Sequence, residues 1–464
     1  MCNVSLNGTQ PTDASIRVLR ALEAAGLEAW YVGGWVRDAL MGRPSHDVDM
    51  CCSGLWQESK EALEAADIAV VESGIKFGGI TAICDDERIE VTTYRLDGFY
   101  TDGRHPQSVE RAASLEDDLA RRDFTVNAMA WHPERGLVDR YDGQGDLDRK
   151  LIRAVGDPKR RFNEDALRML RAVRFACRLD FMIEPKTEQA LAECAPLLDA
   201  VARERVGIEL EGILSTGHGG DAMLRYPELI CAAVPELAAG RGFDQRSVYH
   251  AFNVYEHIAR VLTVAGELAL CDGFTPSMSL MWAAFLHDVS KPDCFTVDHA
   301  GSGHFYGHPE LGAKKARAIM DRLALSHDLV RDVCLLIKYH DKPLRPERSC
   351  LLNMMRLLSG EGVDTPRLMD ELMDLKRADT LGKAPSCFYY VETIEEMRSL
   401  AHDLLEAGEP YSLKMLAING GDLIRAGVKP GPELGQLLNA ALEAVIEDNI
   451  PNDRETLLVH LNLN

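Results

Sequence analysis

The sequence predicts an α+β protein: a mixed β-sheet flanked by helices, followed by three regions that are helical throughout. Three observations support this class. Short segments with alternating apolar residues fill the first hundred residues, helical periodicity dominates from Arg160 onward, and histidine-rich segments begin at Tyr249. A chain of 464 residues is too long for one ordinary core. We therefore predict four domains, residues 1–148, 149–241, 242–395 and 396–464.

Composition argues against a membrane protein and against a generally basic nucleic-acid binder. The net charge is −22, and no apolar run approaches the roughly 18 residues that a membrane-spanning helix needs. The N-terminus lacks the pattern of a signal peptide, and twelve scattered cysteines without a C-x-x-C spacing indicate reduced thiols, so we expect a cytoplasmic protein. The stretch Arg149 to Arg178 nevertheless carries ten Lys or Arg against three acidic residues, which suits a phosphate backbone.

Two carboxylates two residues apart, Asp47 and Asp49, follow a glycine turn at Gly33 and Gly34. On a strand, residues two apart point to the same face. Such carboxylates repel each other unless cations lie between them, which is how two Mg²⁺ ions are held for phosphoryl transfer. The glycines allow close approach of a triphosphate to the backbone and to the N–H groups of the next helix. Taken alone, a D-x-D pair also fits solvated surface carboxylates.

The first domain is predicted to alternate short helices and strands. Its predicted elements are, in order, a helix over 13–26, strands over 27–32 and 47–51, a helix over 56–66, and strands over 69–72, 79–84 and 88–94. Glu90 on the last strand is a candidate third carboxylate, although a solvated side chain fits equally well. Residues 97–110 are rich in Gly, Asp and Pro and predict a long loop.

The G-G-x-V-R-D pattern before D-x-D, together with RRDFTVNA at residues 121–128, resembles the head of the class II tRNA nucleotidyltransferase and poly(A) polymerase family. The resemblance implies a nucleotidyltransferase (polymerase beta-like) mixed-sheet head. It also implies that Asp47 and Asp49, supported by Glu90, bind Mg²⁺ and are catalytic. The residues implied in triphosphate binding are Gly33, Gly34, Arg37 and Arg122. Asp123 and Asn127 are expected to fix the local backbone and the arginine orientation.

The helix predicted from Arg160, with Asn163 as its N-cap, carries polar residues at three-residue steps. These residues are Asp165, Arg168, Arg171 and Arg174. By themselves they fit a ladder of ion pairs on a solvated face. In the family, the matching E-D-x-x-R motif presents a carboxylate acceptor and guanidinium donors to the base of CTP or ATP. The resemblance therefore implies base selection at Asp165 and Arg168, and phosphate contact at the later arginines.

A second site is predicted from a histidine–aspartate pattern that resembles the HD metal-dependent phosphohydrolase superfamily. Its residues are His257, His287, Asp288, His308, His340 and Asp379. The resemblance implies one or two divalent metals of unspecified identity; the alternative is a domain that keeps the fold without turnover. His250, which we place on the same helix as His257, and Asp341 are expected to be buried, hydrogen-bonded core residues instead.

The resemblance covers essentially the whole chain and implies transfer of CMP, CMP and AMP from CTP and ATP to the 3′ end of tRNA, with a C-terminal helical body that binds tRNA. The loop at 97–110 would serve the change from C to A. Alternatives are a poly(A) polymerase, an enzyme adding only CC or only A, and an HD phosphohydrolase acting on nucleotides or RNA ends. The stretch VESGIKFGGITA at residues 71–82 favours the CCA-adding type over the poly(A) type. Neither protein partners nor oligomeric state follow from the sequence.

Overall fold

The computed structural model describes residues 6, 9–45, 47–73, 75, 78–97, 109–271, 275–448 and 450–463. It consists of two compact units, Met1–Leu210 with Tyr226–Ala233, and Glu211–Arg225 with Val234–Asn464. The α+β class is confirmed, and the bounds of the four predicted domains remain predictions. Most of the loop predicted over 97–110 lies outside the described residues, as do Lys76 and Phe77 of the stretch compared above.

Strands and helices alternate through the first part of the chain, close to the predicted bounds. The elements are, in order, α1 Asp13–Ala24, β1 Ala29–Val32, α2 Gly34–Leu40, β2 Val48–Cys52, α3 Trp56–Ala65, β3 Ala69–Val71, β4 Gly79–Cys84, β5 Glu87–Thr93, β6 Arg95–Asp97, β7 Val109–Arg111, α4 Leu115–Ala120, β8 Met129–His132, β9 Gly136–Asp139, α5 Gly143–Asp148, β10 Leu151–Ile152, α6 Pro158–Glu164, α7 Leu167–Leu179, β11 Met182–Ile183, α8 Pro185–Cys194, α9 Arg203–Leu214, α10 Gly219–Arg225 and α11 Pro227–Ala233.

A seven-stranded mixed sheet, in the order β3-β4-β5-β2-β1-β8-β9, forms the centre of the first unit. All four residues of β1 are buried, and the rings of Tyr31, Trp35 and Trp131 pack together on one face. Strands β2 and β5 run parallel, whereas the other pairs of this sheet are antiparallel. The parallel pair brings Asp49 directly opposite Glu90. The sheet therefore sets the distance between two of the predicted carboxylates.

The predicted helix start at Asn163 is wrong. Asp157 caps α6 by accepting the Arg160 N–H, and Pro158 occupies its first turn, so the helix begins five residues earlier than its predicted cap. Asn163 lies in the last turn of α6, where its side chain donates to the Lys159 carbonyl. Asp165 lies between α6 and α7 and accepts the Leu167 N–H. The acidic residue and the arginines of the motif thus sit on different elements.

The second unit is mainly helical. After α10, its elements are, in order, α12 Val254–Cys271, α13 Met278–Leu286, β12 Thr296–Val297, β13 Gly303–His304, α14 His308–Arg322, α15 His327–Tyr339, α16 Arg348–Leu358, α17 Thr365–Gly382, α18 Tyr390–Glu406, α19 Gly420–Arg425, α20 Pro432–Glu447 and α21 Arg454–His460. Every residue of α13 from Ser279 is buried, because α12, α15 and α17 surround it. Within the described ranges, no helix combines the length and apolarity that crossing a membrane requires.

Candidate functional sites

Three acidic residues meet where β2 and β5 run side by side. Asp49 and Glu90 are register partners, and Asp47 immediately precedes β2. Burial and the charges of Glu90 and Asp47 together raise the pKa of Asp49 to about 6, against the opposing charge of Arg122. Three neighbouring carboxylates repel one another, and the charged form of Asp49 is disfavoured. A cation bound among them would relieve both effects. The structure thus brings together the predicted Mg²⁺ ligands and their third carboxylate.

Gly33 forms the backbone edge of this carboxylate cluster. Its φ of +67° favours glycine, and a Cβ there would lie 3.0 Å from Arg122 Nη1 and 3.7 Å from Asp49 Oδ2. A Cβ on Gly34 would lie 3.6 Å from Arg37 Nη2, an ordinary van der Waals distance, so a side chain at position 34 meets less crowding than one at position 33. Arg122 and Asp49 therefore both lie against the glycine turn at Gly33.

Arg122 is held by Asp118, a residue that the sequence analysis missed. Asp118 is fully buried in α4 and pairs with Arg121 Nη2 at 2.6 Å and Arg122 Nη2 at 3.1 Å. Spacings of three and four residues on a helix predict such contacts, so the LEDDLARRD stretch contained the signal. Asp118 fixes one edge of the Arg122 guanidinium.

Arg37 is buried and paired with other side chains, although the sequence predicts that it contacts a triphosphate. Its side chain is buried, with Nε 2.8 Å and Nη2 2.9 Å from the Asp38 carboxylate, while Nη1 donates to Asn127 Oδ1 at 2.8 Å. Asn127 Nδ2 in turn donates to Asp123 Oδ1. Asp123 and Asn127 therefore orient arginines, as expected. A triphosphate role for Arg37 stays a prediction.

Two arginines, one on α6 and one on α7, donate hydrogen bonds to the backbone immediately before Arg122. Arg161 Nη1 donates to the Ala120 carbonyl at 3.2 Å, and Arg168 Nη2 donates to the Arg121 carbonyl at 3.1 Å. Arg168 is buried and also pairs with Glu164 at 2.9 Å. The predicted base-reading arginine thus contacts the residue next to the predicted triphosphate-binding arginine.

The remaining charged residues of the motif pair with residues outside the motif rather than with one another. Arg171 contacts Asp123 Oδ2 at 2.7 Å, and Arg174 contacts Glu209 Oε2 at 2.6 Å. Arg205 on α9 holds Asp165 Oδ2 at 2.9 Å. Arg205 and Glu209 were also missed by the sequence analysis, because a spacing of 35 to 40 residues carries no pairing signal. They bind α9 to the motif and fix the orientation of the Asp165 carboxylate.

The six residues of the histidine–aspartate pattern converge on one buried cluster in the second unit. Asp288 Oδ2 lies 3.2 Å from both His257 Nε2 and His287 Nε2, and Asp288 Oδ1 lies 3.4 Å from His308 Nε2 and 3.6 Å from His340 Nε2. Asp379 Oδ1 is 3.1 Å from His257 Nε2. We call these six residues the His–Asp cluster. The helix ends at His287, His308 and His340 place three of its members.

The histidine tautomers in this cluster fit a cation. In each ring Nδ1 donates to a backbone carbonyl, so each Nε2 presents a lone pair toward Asp288. The carbonyls belong to Gly382, Ala284, Phe305 and Ile337, at 2.7–3.2 Å. Neither Asp288 oxygen accepts a well-directed hydrogen bond from the described residues. Facing lone pairs repel unless a positive ion lies between them. Two ligand groups result, sharing Asp288: one with His257 and His287, the other with His308 and His340.

Lysine side chains pair with the two carboxylates of the cluster. Lys291 Nζ lies 2.6 Å from Asp288 Oδ2, and Lys383 Nζ lies 2.5 Å from Asp379 Oδ2. Burial alone would raise the pKa of Asp288, but its interactions with His287 and with the Lys291 ammonium hold it well below its usual value. Lys376 is buried and donates to the carbonyls of His340 and Lys342, both at 2.7 Å.

Two expectations for neighbouring residues are wrong. Asp341 is exposed, because the chain leaves α15 at His340 and turns toward solvent. His250 is half-buried in the turn before α12 rather than on that helix, and its Nδ1 finds no hydrogen-bond partner among the described residues. The His250 ring packs edge-on against His257, with centroids 5.1 Å apart. Burial lowers the pKa of His250 to about 2, so it is neutral.

Four family profiles match the chain in order. They are described as "Poly A polymerase head domain" for residues 29–153, "Probable RNA and SrmB- binding site of polymerase A" for 180–239, "HD domain" for 254–383, and "tRNA nucleotidyltransferase domain 2" for 387–461. The first covers the carboxylates of the sheet, and the third covers the whole His–Asp cluster. The family resemblance of head and HD regions is therefore confirmed.

Whole-chain relatives are CCA-adding enzymes. The chain is 33% identical over 451 residues to that of Streptococcus thermophilus, covering 96% of this chain and 95% of the relative, and 32% identical to that of Limosilactobacillus fermentum, covering 95% and 94%. The crystal structure of the Bacillus stearothermophilus CCA-adding enzyme in complex with CTP matches with a TM-score of 0.71 at 25% identity, covering 98% of this chain and 97% of that one. The Thermotoga maritima CCA-adding enzyme complexed with tRNA shares the fold, with a TM-score of 0.62 at 21% identity and coverage of 100% and 98%. The chain belongs to the CCA-adding enzyme family.

Proposed function

We propose that this chain is a tRNA nucleotidyltransferase that adds CMP, CMP and AMP, from CTP and ATP, to the 3′ end of tRNA without a nucleic-acid template. The observation that carries the proposal is the placement of Asp49 opposite Glu90 and beneath Gly33, beside Arg122, in a chain similar to CCA-adding enzymes along nearly its full length. A tRNA substrate fits the cytoplasmic location predicted from the sequence. The same similarity disfavours a poly(A) polymerase.

Asp47 and Asp49, with Glu90 beside them, would hold Mg²⁺ in the head. The ion would supply positive charge that lowers the barrier to attack by the tRNA 3′ hydroxyl on the α-phosphate, with pyrophosphate leaving. Arg122 binds triphosphate oxygens with a permanent charge, and Asp118 keeps its guanidinium in place. Gly33 leaves room for the phosphates because no side chain covers Arg122 there.

Asp165 and Arg168 select the base. Arg205 fixes the Asp165 carboxylate, which keeps free lone pairs on both oxygens to accept from a base. Arg168 connects to the triphosphate side through the Arg121 carbonyl. A base bound at Arg168 would therefore adjust the backbone next to Arg122. Arg171 and Arg174 lie on the same helix as Arg168, and their contact with phosphate is part of this proposal.

The choice of full CCA addition over partial addition rests on the family and on the loop at 97–110. The basic stretch from Arg149 to Arg178 and the C-terminal helices from Tyr390 onward would contact the tRNA. Many of these basic side chains already pair with carboxylates, for example Arg149 with Asp142 and Lys150 with Asp180. RNA binding at this stretch would therefore depend on shape and backbone donors as well as charge.

We propose a second, separate activity for the His–Asp cluster, metal-dependent hydrolysis of a phosphoester. The observation that favours it is the convergence of four histidine Nε2 lone pairs on Asp288. Divalent cations held by this cluster would supply Lewis acidity toward a phosphoester. Lys291 would hold a substrate phosphate oxygen, because its Nζ already lies at the Asp288 carboxylate.

The experiment that tests the main proposal is nucleotide incorporation by the purified full-length protein. The substrate is tRNA lacking its three terminal nucleotides, supplied with each triphosphate alone and with CTP and ATP together. We expect CTP alone to extend the tRNA by two residues, and a third to require ATP. Extension by a run of A residues would instead identify a poly(A) polymerase.

A further inference from the structure

Four aromatic side chains around the His–Asp cluster are exposed to solvent. Tyr249 is 62% exposed, Tyr306 78% and Tyr389 79%, and Phe388 is also exposed. We call these four residues the aromatic rim. Exposing large apolar groups to water costs free energy. Several of them near one site therefore need an explanation.

The rim residues come from three chain segments that are joined by backbone hydrogen bonds. The Ala384 N–H donates to the Tyr249 carbonyl at 2.9 Å, and the Gly303 N–H donates to the Arg246 carbonyl at 2.9 Å. Gly303 lies so close to the Gln245 carbonyl that a Cβ would be 2.2 Å from its oxygen. The segment ending at Tyr249 is therefore flanked by the other two. The three segments that carry the rim residues are therefore neighbours in the fold.

Two rim residues lie one residue away from a side chain that reaches the His–Asp cluster. His250, next to Tyr249, packs on His257 with ring centroids 5.1 Å apart. Phe305, next to Tyr306, has Lys291 Nζ 5.3 Å from its ring centroid. Lys291 Nζ lies 2.6 Å from Asp288. Two of the segments that carry the rim therefore also contact the cluster or the lysine beside it.

Aromatic side chains beside a phosphoester site suit one class of group in particular. Nucleobases stack on exposed Tyr and Phe rings without requiring a particular base, because every base has a π-face. A phosphate held at the cluster would leave the sugar and base of the same nucleotide within reach of the neighbouring rim.

We infer that the aromatic rim binds an unpaired nucleobase of the phosphoester that the His–Asp cluster hydrolyses, and that it sets the preference for base-bearing substrates. The inference rests on the phosphohydrolase activity proposed above. The base belongs either to a free nucleotide or to a single-stranded RNA end. In the hydrolysis, water adds to phosphorus, one P–O ester bond breaks, and the released oxygen takes a proton.

The test compares two cyclic phosphodiesters with full-length protein. They are uridine 2′,3′-cyclic phosphate and methyl β-D-ribofuranoside 2′,3′-cyclic phosphate, in which a methoxy group replaces the base. Wild type should show a KM about tenfold lower for the uridine ester. Tyr249→Ala and Tyr306→Ala should each raise that KM about tenfold, with kcat, metal content and the KM for the methyl riboside ester unchanged. The control Val459→Ala removes an equally exposed residue, 66% exposed on α21, and should change nothing.

Equal KM values for the two esters in wild type, or rim variants that leave the uridine KM unchanged, would overturn the inference while leaving the phosphohydrolase proposal intact. Hydrolysis of neither ester would refute that activity instead. Binding then decides about the rim: calorimetric titration with uridine 2′-monophosphate should be about tenfold weaker in the two variants, and unchanged binding would overturn the inference. A KM far lower for an oligouridylate ending in the cyclic phosphate than for the mononucleotide would identify an RNA end as the source.

Discussion

Asp49 and Glu90 lie directly opposite each other in the parallel strands β2 and β5. Side chains at paired positions of neighbouring strands point to the same face, so the two carboxylates lie on one face of the sheet. Burial and the neighbouring Glu90 charge raise the pKa of Asp49 to about 6. The strand register itself therefore creates an anionic site whose charge is costly without a cation.

The first prediction is a pH-dependent Mg²⁺ affinity at this site. Below pH about 6 a proton occupies Asp49 and competes with Mg²⁺, so the apparent affinity should fall about tenfold per pH unit; above that pH it should level off. Calorimetric Mg²⁺ titrations between pH 5 and 8 measure this. Subtracting the same titrations of Asp49→Asn removes binding elsewhere in the chain. A wild-type minus variant difference that does not change with pH contradicts the prediction.

The second prediction concerns the glycine turn. Gly33→Ala puts a methyl group 3.0 Å from Arg122 Nη1 at a backbone φ of +67°, so the KM for CTP should rise at least tenfold. Gly26→Ala is the matched control, since Gly26 also has a positive φ, +79°, but no atom within 4 Å of its Cβ. It should cost about 1 kcal/mol of stability and leave the KM unchanged. Equal KM changes in both variants would mean that strain, not crowding at Arg122, is responsible.

The third prediction separates base choice from triphosphate binding. Arg168→Ala and Arg205→Ala should both admit UTP or GTP, the first by removing donors to the base and the second by releasing Asp165. Loss of a paired base contact corresponds to about 1–3 kcal/mol of discrimination, or roughly 5- to 150-fold. Arg203→Ala, on the same helix but paired with Asp199, is the control. The measurement is single-nucleotide incorporation on tRNA ending before C, after C and after CC. Unaltered preference at all three stages would remove the residue concerned from base selection.

The fourth prediction concerns metal stoichiometry in the His–Asp cluster. Because Asp288 belongs to both ligand groups, Asp288→Ala should lose two metal ions, whereas His308→Ala should lose one and keep the ion held by His257 and His287. Elemental analysis of the purified proteins measures this, and CCA addition should be largely intact in both variants. His402→Ala, an exposed histidine paired with Asp370, should retain both ions. Wild-type protein without bound metal would refute the assignment.

The sequence predicted most of the sheet because local patterns determine it. The alternation in β4 and β5, the turn at Asp85-Asp86 and the glycine turn at Gly33 are all short-range signals, and the structure has these elements within one or two residues of the predicted bounds. The helix break at Asp165 was missed, because a good N-cap at Asn163 concealed a better one at Asp157 followed by Pro158. Competing caps cannot be ranked without the contacts that the finished helix makes.

Pairs of residues far apart in the chain were the second feature that could not be predicted from the sequence. Asp118 was detectable by its spacing from Arg122, but Arg205 and Glu209 pair with residues 35 to 40 positions away. The burial of Arg37 and its pairing with Asp38 likewise depend on how α2 packs in the folded head. The histidine–aspartate residues were found because their types and order are distinctive, whereas their sharing of Asp288 is a property of the fold alone.

The assignment of nucleotide transfer to the head carboxylates is tested most directly by incorporation of radiolabelled CMP and AMP. Wild type and Asp49→Asn are compared side by side on tRNA lacking its last three nucleotides. We expect wild type to add two CMP and then one AMP, and the variant to add neither while binding the same tRNA with unchanged affinity. Near-normal incorporation by Asp49→Asn would contradict the assignment of the head carboxylates to nucleotide transfer.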